Sequence, residues 1–241
     1  MMLHAALPPA AFDPADTGTP EPEWRHMLAT RPIWEPQTDA LVIVSPNPGN
    51  EVLAAGGLIH SWSAAGRPVT VVSVTDGEAA FPRWRGLAEV RRRELNCALR
   101  KLSLAHVSVI RLGIADGRVA RHANRLRNAL LGLLGTPITL VVPFERDGHP
   151  DHEAVGNVCC AMARTHQVDI VRFPIRAWNQ TNPAALGSLR WGKFMLSAEA
   201  QRAKSHAIQC FESQLRPPFA QPVVPSRIRP YFERPYEAFL L

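Results

Sequence analysis

Five short apolar runs rich in β-branched residues recur through the chain: ALVIVS (40–45), PVTVVSVT (68–75), VSVIRL (107–112), ITLVVP (138–143) and VDIVRF (168–173). Each is nearly continuous in apolar character, as a strand buried on both faces must be. Helical periodicities lie between them at about 51–65, 86–102, 121–134 and 152–166, with a further one near 198–212. Strand–helix alternation of this kind predicts a Rossmann-like, three-layer α/β/α domain with a mainly parallel sheet. With 241 residues, 46% of them hydrophobic, the chain can bury one such core.

The ends read differently. Residues 1–38 are rich in Pro and Ala and form an expected arm, mostly irregular, with EWRHML (23–28) docking through Trp24 and Trp34. The domain proper is expected over 39–241, including a Pro-rich tail (216–236) that wraps the surface. A basic segment leading into a continuous apolar core is absent from the N-terminus, and no run of 18 apolar residues occurs, so neither a signal peptide nor a membrane span is expected. Cys97, Cys159, Cys160 and Cys210 show no CxxC spacing, which favours reduced thiols and a cytoplasmic protein. The formal charge of +6 comes almost entirely from scattered arginines, with one cluster at Arg91–Arg93. Without an aromatic-interleaved basic stripe this argues against a nucleic-acid partner, and for solubility or attraction of an anionic small molecule. Nothing in the sequence fixes an oligomeric state.

Leu87, Val90, Leu95, Ala98 and Leu102 share one face of the helix at 86–102, and Arg91 and Glu94 fall on that same face. A charge on a core-facing stripe needs a partner. Either the two form a buried pair bracing the fold, or Arg91 reaches the rim of a site and Glu94 holds it there.

In a doubly wound sheet, ligands bind beyond the carboxyl ends of the strands. Collected there are NPGNE (47–51), TDGE (75–78), ADG (115–117) and ERDGHPDH (145–152). His149 and His152 flank Pro150 and Asp151 at a helix start, so both imidazoles can face one space. One could ligate a metal while the other, oriented by Asp151, acts as acid or base. Alternatively, Asp151 and His152 only cap the helix and His149 is solvated.

Taken in order, Ser45–Gly57, Val74–Glu78, Arg91–Leu95, Leu112–Gly117, Asp147–His152 and KSHAIQCFESQ (204–214) resemble the successive motifs of the PIG-L/LmbE-like family of zinc-dependent N-acetylglucosaminyl deacetylases. Those motifs are A/P-H-P-D-D-E, V-T-x-G-E, R-x-x-E-L, L-G-x-x-D-G, D-x-H-x-D-H and K-x-x-A-x-x-x-x-x-S-Q. The resemblance implies zinc ligands at positions 47, 50 and 152, a general base at 49 and a catalytic histidine at 149. Here those positions hold Asn47, Asn50, His152, Gly49 and His149. The catalytic candidates are therefore His149 and Asp151, with Arg91, Asp116 and Glu51 implied as substrate contacts. His152 is the remnant metal ligand, with Asn47 and Asn50 at the other two ligand positions. Neutral amide oxygens are poor zinc donors, so no cofactor is expected where intact members carry zinc.

Two functions stay open on the sequence alone. One is a catalytically impaired or inactive N-acetyl-sugar deacetylase homologue that binds a sugar-like ligand or a protein partner. The other is an active hydrolase of the carbon–nitrogen amide bond in N-acetylated sugars, with an altered metal site or His149-based chemistry. Bacterial members of the family suggest glycan or small-glycoside metabolism.

Overall fold

The computed structural model describes residues 18–102, 107–218 and 220–241. Its centre is one seven-stranded sheet in the order β3-β2-β1-β4-β5-β7-β6. The strands are β1 (Ala40–Ser45), β2 (Val69–Ser73), β3 (Val107–Arg111), β4 (Ile138–Pro143), β5 (Asp169–Phe173), β6 (Trp191–Met195) and β7 (Tyr236–Leu240). The pairings that join β1 through β5 are all parallel, whereas β7 runs antiparallel to both β5 and β6. The helices that matter to the cleft are α1 (Glu21–Ala29), α2 (Asn50–Ala64), α3 (Leu87–Leu102), α4 (Ala123–Leu131), α5 (Pro150–His166), α6 (Ala177–Gln180), α7 (Pro183–Leu186), α8 (Ala198–Ile208) and α9 (Glu212–Leu215).

Alternation along β1 shows why these runs are apolar throughout. Leu41 and Ile43 enter a core shared with residues of α1, α2, α3 and α8, while Val42 and Val44 enter a second core shared with residues of α4 and α5. Both faces of the sheet are covered. The strand order reverses between β1, which pairs with β2 on one side, and β4 on the other. A crevice opens beyond the carboxyl ends of strands at such a switch point.

Several segments differ from the sequence expectation. Within residues 18–38 the stretch Glu21–Ala29 forms α1, which packs into the core through Trp24 and Leu28, both fully buried, and the Trp24 ring meets Trp178 edge-on at 5.0 Å. The first 17 residues of the arm lie outside the described residues. Strands β6 and β7 are additional to the five apolar runs, β6 preceding the helix expected near 198–212 and β7 following the tail. The tail itself does more than wrap the surface, because Ile228, Tyr231 and Phe232 are buried in the first core. Among the described residues no helix is long and apolar enough to cross a membrane.

One consequence of β7 reaches the cleft. Helix α2 breaks at Ala55 (φ −136°), which frees backbone amides in its middle. Gly57 and Leu58 donate these to the carboxylate of Glu237 on β7, at 2.7 and 2.9 Å. Lys204 of α8 completes the cluster at 2.8 Å, with burial pulling its pKa down against the pull of Glu237. The cluster ties the second half of α2, beyond the break, to β7 and α8.

Candidate functional site

A cavity of about 450 Å³ opens at the switch point. Its polar side is lined by Asn47, Asn50, Arg91, Asp116, His149 and His152, and its apolar side by Leu53, Ile175 and the tail residues Pro222 to Pro225 and Ile228. Of the residues that come directly after the strands, Asn47, Asp116, His149 and His152 therefore come together. Asp76 does not line the cavity: it holds Arg92 through two bonds, at 3.0 and 2.5 Å.

Gly49 sets the turn after β1. Its φ of +105° is a backbone conformation that side chains disfavour, and a Cβ there would lie 2.9 Å from the Gln214 amide nitrogen. That nitrogen donates to the Pro48 carbonyl at 2.7 Å, so the α9 segment props the turn from below. Glu51 closes the turn from within. Its carboxylate accepts from the Gly49 amide at 2.8 Å and from the Ser45 hydroxyl. It is fully buried, its pKa is raised by burial, and it does not line the cavity. The expectation of Glu51 as a substrate contact is corrected: it braces the loop.

Across the crevice, α5 presents the two histidines. The helix lies tight on the end of β4 because position 156 is glycine; a Cβ there would come within 2.6 Å of the Pro143 carbonyl. His149 caps the helix, its Nδ1 accepting the Asp151 amide at 3.2 Å, and Pro150 supplies the first helical position. With Nδ1 accepting, the neutral ring carries its hydrogen on Nε2. Burial, then the neighbouring His152 and Arg176, push the His149 pKa down to about 3. Near neutral pH the ring offers a hydrogen-bond donor through Nε2, not a proton acceptor. Asp151 is also reassigned. Its carboxylate accepts from the Gly117 and Val119 amides at 2.6 and 3.2 Å, bracing the loop after β3, and it does not line the cavity.

The residue that orients an imidazole is Asp147. Its carboxylate accepts from the amides of Ile175, Arg176 and Ala177 at 2.8, 3.1 and 3.0 Å, and contacts His152 Nδ1 at 2.6 Å. Surrounded by donors, it accepts the Nδ1 hydrogen, which leaves the His152 lone pair on Nε2. The Asn50 side-chain nitrogen stands 3.1 Å from that atom and donates into it. Asn47 is engaged in the same way, donating to Thr75 Oγ1 at 2.7 Å and to Asp116 Oδ1 at 2.9 Å. In the sequence Asp147 stands out only as part of a motif; its role depends on the loop leading into α6, which no spacing foretells.

The donor set does not fit zinc. Two of the three ligand positions are neutral amides whose nitrogens are held by protein acceptors, and the remaining imidazole's lone pair already has a hydrogen bond. Among the described residues no group of three or more His, Cys, Asp or Glu is placed to hold a metal.

Arg91 is 2% exposed yet lines the cavity. Its Nη1 donates to the Gly77 carbonyl at 2.7 Å, while Nε and Nη2 have no partner among the described residues. Burial lowers its pKa, opposed by Asp116, Glu94 and Glu78 in that order. Glu94 does not clasp the guanidinium: both its oxygens accept from Ser213, from the amide and the hydroxyl, each at 2.7 Å. Asp116 is the one carboxylate among the residues lining the cavity. Burial raises its pKa, against the lowering effect of the Asn47 bond.

The structure resembles several solved ones. The antimicrobial reagent A40926 pseudoaglycone deacetylase Dbv21 matches with a TM-score of 0.63 and 19% identity, over 85% of this chain and 97% of that one. A zinc-inhibited form of teicoplanin deacetylase Orf2 matches with a TM-score of 0.58 and 14% identity, over 73% and 84%. The N,N'-diacetylchitobiose deacetylase of Pyrococcus horikoshii gives 0.57 and 18%, over 79% and 76%. At these identities the likeness is one of fold. Nothing among curated proteins matches the chain. The model of the PIG-L family, GlcNAc-PI de-N-acetylase, matches residues 42–163, just over half of the chain, running from within β1 to within α5 and including the residues on the polar side of the cleft. The chain belongs to that de-N-acetylase family.

Proposed function

We propose that this chain is a non-hydrolytic member of its family, one that binds a sugar-like ligand in the cleft without zinc-dependent deacetylation. The observation that carries this reading is the Asn50–His152 hydrogen bond, which takes up the one lone pair that a metal would need. The missing base supports it as well: position 49 is glycine, and neither His149 nor Asp151 offers a free acceptor at the cleft. What persists is binding chemistry. Asp116 supplies acceptors, Arg91 and His149 supply donors, and the tail supplies an apolar wall. Deacetylases of related fold are named for diacetylchitobiose and teicoplanin, which makes acetamido sugars and their phosphates the ligands to try. Without a metal anchor, affinity in the millimolar to high-micromolar range is expected, on the order of 4–6 kcal/mol.

Two measurements test this. Elemental analysis of protein purified without chelator should find far less than one zinc per chain; near one per chain, lost on His152→Ala, would instead favour an active hydrolase with an altered metal site. NMR titration with N-acetylglucosamine and its phosphate should shift cleft resonances, and the same titration of folded Arg91→Ala should not. Silence in the wild type toward every sugar would leave Arg91 as a structural brace and defeat the reading.

A further inference from the structure

Helix α3 is tied at two places to the segment formed by the turn after α8 together with α9 itself. Glu94 accepts from Ser213, and three residues further along α3, three residues back along the other segment, Cys97 meets Cys210, with the Sγ atoms 2.6 Å apart. The two cysteines are 113 positions apart in the chain, and both are free and half-buried. Cys159 on α5 is fully buried in the second core, and Cys160 points elsewhere from the same helix. Only the first pair combines contact with access.

The geometry points to Cys97 and Cys210 as a reversible disulfide site, formed by exchange with a small-molecule disulfide such as oxidised glutathione. The Cys97 thiolate attacks one sulfur of the oxidant, forming a mixed disulfide and releasing one thiol. Cys210 then gives up its proton and attacks Cys97 Sγ, expelling the second thiol. Two protein thiols are oxidised, one small disulfide is reduced to two thiols, and the leaving thiolates take up the protons. Burial and the contact with Cys97 push the Cys210 thiol up to about 12, and the exchange balances equally with the two thiols' roles reversed.

The bond would matter to the cleft because Cys210 leads directly into α9. Ser213 holds Glu94, and Gln214 lines the cavity while propping the Pro48–Gly49 turn. A covalent link at 97–210 fixes that segment to α3, the helix that carries Arg91.

The full chain is equilibrated in glutathione buffers of graded redox ratio, quenched with acid, and examined by intact mass and non-reducing peptide mapping. The expected result is a loss of about 2 Da and a Cys97–Cys210 peptide pair, reversed by dithiothreitol. The pair must be absent in Cys97→Ser and in Cys210→Ser, and retained when Cys159 and Cys160 are both alanine. Amide exchange at Ser213 and Gln214 should slow at least several-fold on oxidation in the wild type and not in Cys97→Ser. Stable glutathione adducts in place of the pair would overturn the proposal. So would linkage through Cys159 or Cys160, or thiols still free in oxidised glutathione while they react with an alkylating reagent of similar size. If the link forms without slowing exchange at Gln214, the claimed connection to the cleft fails.

Discussion

The side-chain amide of Asn50 donates to Nε2 of His152 across 3.1 Å, joining the start of α2 to the start of α5 over the mouth of the crevice. On the proposed reading, this bond stands where a metal would otherwise be coordinated. Asn47 likewise ties the turn after β1 to the loops after β2 and β3. Changing both residues to metal-binding types, Asn47→His with Asn50→Asp, gives a three-donor set with His152, which Asp147 already orients. This double variant should take up zinc at least a hundredfold more tightly than the wild type, as read by competition with a zinc chelator. Comparable weak binding in both proteins would show that the backbone here no longer supports the site.

Restoring the third position should be harmful. Gly49→Asp places a side chain on a backbone at φ +105° and pushes its Cβ to 2.9 Å from the Gln214 amide. Strain and overpacking of this kind cost about 1–3 kcal/mol each. In urea titrations the variant should lose about 2–6 kcal/mol from the two together, and adding Gln214→Ala should recover only the part due to contact. Full recovery would mean that the φ is relaxed elsewhere in the turn.

The pH response should carry the signature of His149. Its folded pKa, about 3, lies below the ordinary value of 6.5, so the fold prefers the neutral ring. Linkage sets the sign: the contribution is whole above about 6.5 and is lost as pH falls toward 3, because only the unfolded chain takes up the proton across that window. About 2–4 kcal/mol is at stake, allowing for the ring's partial contact with the cavity. His149→Asn keeps a good N-cap acceptor and removes the titration. Relative to its own stability at pH 7.5, that variant should be more stable than wild type at pH 4.5; equal slopes would reject the assignment.

How much of the molecule is legible in its sequence depends on the range of the contacts. The parallel strands can be read from the sequence because burial on both faces leaves an unbroken apolar run, as in Leu41 to Val44. WGKFM and YEAFL carry Gly, Lys and Glu, so β6 and β7 have no such mark, and Glu237 is in the sheet to serve α2 and Lys204 from a distance. Cleft residues are recognisable where a motif places them directly after a strand. Their roles are harder to read. Asp147, Asp151, Glu51 and Glu94 are all acidic and all buried; Asp147, Asp151 and Glu94 accept from donors on other segments, whereas Glu51 accepts from Gly49 and Ser45 of its own turn. No local pattern separates a carboxylate that braces a loop from one that meets a ligand.

Glu237→Gln tests one of those distant contacts. The change keeps the shape but leaves Lys204, 4% exposed, without its counter-charge. Removing one member of a buried ion pair typically costs about 3–5 kcal/mol, and amide acceptance from Gly57 and Leu58 would weaken as well. Stability should drop by that order, and the double change Glu237→Gln with Lys204→Met should regain much of it. A drop below about 1 kcal/mol would indicate that water reaches Lys204.

Arg91 gives the sharpest test of ligand chemistry. Its Nε and Nη2 lack partners among the described residues although the side chain is 2% exposed, and an unmade bond to a buried cation is expensive. An anionic group in the cavity would satisfy both donors at once in a forked geometry. Arg91→Lys keeps the charge and loses the fork; Arg91→Met keeps most of the bulk and loses both. For a sugar phosphate, affinity should fall about tenfold in the lysine variant and about a hundredfold or more in the methionine variant, in line with about 1.5–3 kcal/mol for charged hydrogen bonds. For the neutral sugar the two variants should differ little from each other. Removing the cation also strips Asp116 of a neighbour that lowers its pKa, so the Asp116 carboxyl should titrate higher in Arg91→Met than in wild type. Carboxyl carbon shifts followed by NMR across pH report that directly. If Asp116 is unmoved and phosphate affinity is unchanged, Arg91 serves α3 and the Gly77 loop alone, and the cleft selects its ligand without it.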